Sequence, residues 1–268
     1  MAFNFWREFD RGDKAVIVLM VFFFLITSYL GYFNHGKFNS PDESANYFFA
    51  KNFALKTSLS VPEPLDLVAP IVHPRSVNVR GSDLVPGSFI GLILFYGHVA
   101  KVFGSGAIVF LTPFFASLAL GAWYWIIKKL AGQSLAFTSS VIWAIHPALL
   151  YYAARGLLPN VLFVSALVLM VFCYLRAGGS SRWWIWAILA GAFFSLAVGV
   201  RANEIIWLLP LIAVAIIYFR RVIRWKVWLT FVVSSIIFIT PVMYWQKATF
   251  GAVFKTGYQS QVAQVVSA

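Results

Sequence analysis

Charge and cysteine are both scarce in this chain. Of its 268 residues only 11% are charged and only nine are acidic, so it lacks the roughly one-quarter charged composition of a soluble domain. Cys173 is the single cysteine, which excludes a fold stapled by disulfides within the chain. No collagen-like period, low-complexity tract or solenoid repeat is found. What is abundant is apolar: 61% by the AVILMFWYC count and 18% aromatic, with a mean hydropathy of +0.81. That composition implies an all-α polytopic membrane protein. The net charge of +12 comes from basic residues scattered between apolar runs, not from a continuous stripe. It is therefore read as a positive-inside bias and not as a nucleic-acid surface.

Seven stretches read as spans: 16–33, 107–127, 135–153, 158–175, 183–200, 205–219 and 227–245. The run Phe89–Phe103 is interrupted by Gly91, Gly97, His98 and Lys101, and basic-residue counting decides its place. If it does not cross, Arg7, Arg11, Lys14, Lys128, Lys129, Arg176, Arg182 and the cluster Arg220, Arg221, Arg224 and Lys226 all fall on the cytoplasmic side. The expectation is therefore a bundle of about seven helices in one membrane domain. Its N-terminus is inside, its first span is an uncleaved anchor, and residues 34–106 form a large outer loop with interfacial helices, Phe89–Phe103 among them. That loop holds five of the nine acidic residues: Asp42, Glu43, Glu63, Asp66 and Asp83. Any chemistry is expected there, at the extracytoplasmic surface, because the cytoplasmic loops are short.

Its strongest local feature is Ser40-Pro41-Asp42-Glu43. The pattern reads as a capping box, with Ser40 as N-cap, Pro41 at N1 and Glu43 at N3. That explains Glu43 without requiring Asp42, whose carboxylate at the mouth of a membrane helix could serve as a general base. An amphipathic, aromatic helix with Tyr47 and Phe53 is expected to follow.

Pro41-Asp42-Glu43 with Tyr47, His73-Pro74-Arg75, Pro86, a helix ending Val102-Phe103-Gly104, Arg155 through Asn160, Val200-Arg201, Phe250-Gly251 and Thr256-Gly257-Tyr258 occur in this order. In this the chain resembles the GT-C superfamily of polyprenyl-phosphate-sugar-dependent glycosyltransferases. The nearest branch is that of the protein O-mannosyltransferases and lipid A aminoarabinose transferases. The resemblance implies a GT-C-like fold and transfer from a polyprenyl-phosphate-linked sugar to an acceptor glycan, lipid or protein. It implies that Asp42 is the base with Glu43 beside it. Arg75 or Arg80 is then the loop cation nearest the phosphate, and Arg155, Asn160, Arg201 and Tyr47 complete the substrate-binding set. The chain carries Leu84-Val85-Pro86 where that branch often has Lys before the proline, and Asn160 where many members have a second Asp. No cofactor is required by these residues, and a divalent metal is left open. Members commonly continue beyond a seventh span, so a short or partial member is implied.

The bland readings are specific. Arg201 and Glu204 make an i,i+3 pair worth a few tenths of a kcal/mol. Arg155 can anchor a span at the headgroups. His35 and His73 stand near the acidic loop at spacings that match no metal signature. His98 and His146 read as structural, with Pro147 kinking its span, and Trp123, Trp125, Trp183, Trp184 and Trp245 as an aromatic belt. Two other functions remain alternatives. A transporter would carry ionisable residues deep in its spans, whereas these spans are charged only near their ends; a non-catalytic lipid-binding or assembly subunit would tolerate Asn160.

Overall fold

A computed structural model describes residues 10–33, 38–63, 75–219 and 224–258. His35, Asp66 and His73, named above, lie outside them. Every expected span coincides with helix: α1 (Arg11–Phe33), α4 (Ile108–Ala131), the pair α5 (Gln133–Ile145) and α6 (Pro147–Ala154), α7 (Pro159–Ala177), α8 (Trp183–Val200), α9 (Ile205–Phe219) and α10 (Trp225–Phe250). Among the described residues five helices are individually long and apolar enough to cross a membrane, namely α1, α4 with the turn before it, α7, α8 and α10. The pair α5–α6 makes a sixth, bent by 57°. The bend falls where sequence chemistry requires it. Pro147 has no N–H to give the helix, and it holds His146 extended, at φ −63° and ψ 121°. Helix α9, with 15 residues, is shorter than each of these five single-helix spans.

Small residues let the helices approach. On α8, Ala187, Ala190, Gly191, Ser195 and Ala197 are buried, and this helix packs against α7 and α10. A Cβ on Gly191 would stand 2.0 Å from Ser234 Oγ of α10. Where α8 crosses α3 (Ile90–Phe103), a Cβ on Gly91 would meet the Gly199 backbone at 2.2 Å, so only glycine fits.

The elements between α1 and α4 form the cap of the bundle. Helix α2 (Pro41–Lys56) lays Ala45, Phe49, Ala50 and Phe53 against α3. Helix α3 buries Ile90, Leu92, Ile93, Leu94 and Tyr96, and protein surrounds it: α2, α4, α8 and α10 all contact it. Three short strands, β1 (Val61–Pro62), β2 (Val77–Arg80) and β3 (Asp83–Pro86), pair antiparallel in the order β1-β3-β2. This small sheet is an addition to the all-α expectation. Its β2–β3 hairpin turns at Gly81-Ser82, with Arg80 opposite Asp83. The sheet-bearing end of the bundle therefore carries nearly all of the irregular backbone that the sequence placed in the loop.

Candidate active site

The cap of α2 is built as its sequence implies. Ser40 N–H donates to Glu43 Oε2 at 3.2 Å, and Ser40 Oγ accepts from Asp42 N–H at 3.3 Å. Glu43 is only 3% exposed, and its Oε2 also meets Arg155 Nη2 at 3.2 Å. Arg155 further donates to the Tyr151 hydroxyl and stacks over that ring. The capping box thus becomes one end of an ion pair tying α2 to the turn before α7. Asn46, one turn further on, ties it twice more: its Nδ2 donates to Leu157 O at 2.9 Å, and its Oδ1 accepts from Ser88 Oγ at 2.9 Å. A buried amide with both ends paired holds a helix in register.

Asp42 lies on the same face of α2 as Asn46, at i and i+4. The hydroxyl of Ser76 donates to its Oδ1, and among the described residues no cation pairs with it. Asp42 and Asn46 line a cavity of about 290 Å³, shared with Ser88 and Phe89 of the β3–α3 linker, Leu158 to Asn160, Val200, Arg201, Asn203 and Tyr258. Among the described residues Asp42 is its one anion and Arg201 its one cation.

Arg201 ends α8, where the chain breaks from helical geometry at φ −145°. Its guanidinium donates to Asn160 Oδ1, pairs with Glu204 at 2.7 Å and lies 5.9 Å from the Phe163 ring centre. The expected Arg201–Glu204 pair is present, yet the side chain stays about one-third exposed and lines the cavity. Tyr258 reaches the same rim because Gly257 packs on the linker; a Cβ there would stand 2.5 Å from Gly87 C. The Tyr258 ring stands 5.0 Å from Phe89. Burial raises its phenol pKa above the ordinary value, the Asp42 carboxylate raises it further, and Arg201 works in the opposite direction. At neutral pH the phenol is a hydrogen-bond donor.

The fold thus brings together Asp42, Asn160 and Arg201 and separates the other sequence candidates from them. Glu43 and Arg155 are spent on each other. Arg80 donates through Nη1 to Ala248 O at 3.0 Å and to Thr249 O, closing the end of α10. Arg75 is exposed and contributes nothing to the cavity lining, although its neighbour Ser76 holds Asp42. Tyr47 packs on Phe38 at 5.3 Å, also away from the cavity. Sequence reasoning did not single out Asn46, Ser76, Ser88 or Asn203. Asn46 was within reach, one turn from Asp42, whereas the others are positioned by tertiary folding.

A divalent ion fits this donor set poorly. The Asn160 oxygen already accepts from Arg201, and among the described residues no three His, Cys, Asp or Glu side chains converge. A second, largely apolar cavity of about 460 Å³ lies between α8 and α10, walled by Val198, Ile239, Val242 and Met243. Asn203 lines both cavities, so the polar site adjoins an apolar groove.

Compared with known proteins, the chain matches no curated protein and no solved structure. The family model described as dolichyl-phosphate-mannose-protein mannosyltransferase matches residues 91–245, more than half of the chain. The match covers Arg155, Asn160 and Arg201 and begins after Asp42 and Glu43. With its apolar helical bundle and that match, the chain belongs to the dolichyl-phosphate-mannose-protein mannosyltransferase family of membrane glycosyltransferases.

Proposed function

We propose that this protein transfers a sugar from a polyprenyl-phosphate carrier to the hydroxyl of an acceptor, with Asp42 as general base. The observation carrying this reading is one cavity that joins a carboxylate without a cationic partner among the described residues to a guanidinium, beside an apolar groove. The carrier's prenyl chain occupies the groove between α8 and α10, since each CH₂ brought out of the bilayer into water costs about 0.8 kcal/mol. Its phosphate then lies at Arg201, with the Asn203 amide and the Tyr258 phenol as further donors. Asp42 accepts the acceptor's hydroxyl proton as the oxygen forms its bond to the anomeric carbon. The bond from that carbon to the phosphate oxygen breaks, and its electron pair leaves with the phosphate. Arg201 stabilises that growing negative charge. Attack opposite the leaving group inverts the anomeric centre. The charge distribution of the loops supports an extracytoplasmic site, and the plasma membrane is the membrane proposed.

Purified protein in lipid, given radiolabelled mannosyl-phosphoryl-polyprenol, should release polyprenyl phosphate and move label to an acceptor fraction. Absence of both from the wild-type protein, across mannose, glucose and aminopentose donors, would overturn the transferase reading.

A further inference from the structure

A third cavity, of about 380 Å³, is not used by the proposed chemistry. It lies beside β3: Val85 lines it, while Ser88, three residues further along, lines the Asp42 cavity. Three residues of chain reach at most about 10 Å. The volume lies within the range of about 300–1,000 Å³ usual for small-molecule sites.

Among the described residues its charged groups come from one face of the hairpin. Arg80 and Asp83 are direct cross-strand partners, and Val85 follows Asp83 on the same side of the pleat. The Arg80 guanidinium is held by the α10 carbonyls. Asp83 has no such engagement: among the described residues its carboxylate makes neither a hydrogen bond nor an ion pair, although it is half-buried in the wall. The Trp245 indole, fixed edge-to-face on Phe53 at 5.2 Å, lines the same cavity. Ser58 and Ser60 add hydroxyls, 3.4 Å apart.

A carboxylate able to accept several hydrogen bonds and a rigid indole lining one space of ligand size suit a molecule with a hydroxyl-rich edge and an apolar C–H face. That is a pyranose. An anionic headgroup would meet the Asp83 charge with the nearest guanidinium already engaged. We propose that this cavity binds a neutral sugar unit of a glycan and holds a glycosylated acceptor beside Asp42. The acceptor role rests on the transferase reading; saccharide binding does not.

Saturation-transfer NMR on the full-length protein in detergent tests it, using mannose, glucose, galactose and their di- and trisaccharides as probes. Wild type should bind at least one of them. Asp83→Asn and Trp245→Phe should each weaken that binding about tenfold or more, while Lys128→Met, in the Asp10–Asp13 cluster at the other end of the bundle, binds as wild type does. Melting curves identify any variant that fails to fold, and Asp83→Asn, half-buried beside the exposed hairpin turn, decides if Trp245→Phe does. No binding by wild type, or undiminished binding by folded Asp83→Asn, overturns the proposal. Saccharide binding without any sugar transfer would remove the transferase reading and leave the binding site standing.

Discussion

At the end of the bundle away from the sheet, three charged side chains satisfy one another, whereas at the sheet-bearing end Asp42 has no ion-pair partner among the described residues. Lys128 meets Asp10 at 2.7 Å and Asp13 at 2.6 Å, and those two carboxylates cap each other's backbone N–H groups at the start of α1. Every group there has a structural partner. At the other end Glu43 is used in the same way, by a cap and by Arg155. Its neighbour Asp42 takes one hydroxyl and faces a cavity. Adjacent carboxylates on one helix thus divide into a fastener and a group left available for chemistry, and incomplete pairing is what distinguishes the second.

The comparison can be broken by substitution. Asp42→Asn should cost the most in activity, about 10²–10⁴-fold in transfer rate with little change in melting, if it is a general base. Arg201→Gln should cost on the order of 10²-fold, read as a fall in kcat for release of polyprenyl phosphate. Glu43→Ala should act the other way round. It leaves the half-buried Arg155 unpaired and removes half of the capping box, so detergent melting should report a stability loss of about 3 kcal/mol. At the opposite end Lys128→Met should lower stability by about 1 kcal/mol or less and leave transfer unchanged, since its pairs are partly exposed.

The smallest effect is a pH dependence. The Lys128 hydrogen bond holds the Asp10 carboxyl below its ordinary value of 3.8. A lowered folded-state pKa contributes stability that is present above 3.8 and lost as pH falls through the folded value. Melting in acid should show this slope in wild type and a smaller one in Lys128→Met, where the Asp13 N–H still donates to Asp10.

The helices were legible in the sequence because a span is a one-dimensional signal, namely length and hydropathy. The α5–α6 break was legible because proline acts on its own neighbours. The capping box was legible for the same reason, since Ser40, Asp42 and Glu43 settle it among themselves. What could not be read was pairing at a distance. Arg155 could be read as a phosphate ligand or as a headgroup anchor until folding placed it on Glu43. Arg80 looked like a loop cation until a two-residue turn aimed it at the end of α10. The hairpin itself is too short and too weakly alternating to register as strand. Asn160 read as a departure from an acidic position; in the fold it is an acceptor for Arg201, a role an amide oxygen fills.

The most direct test of the account sets neighbouring carboxylates against each other in one preparation. Asp42→Asn and Glu43→Gln are reconstituted in lipid, and transfer from radiolabelled mannosyl-phosphoryl-polyprenol is measured beside donor binding. The account predicts that Asp42→Asn binds the donor as wild type does and transfers at least 10²-fold more slowly, while Glu43→Gln, once folded, keeps most of its rate. Equal transfer by Asp42→Asn and wild type would contradict it.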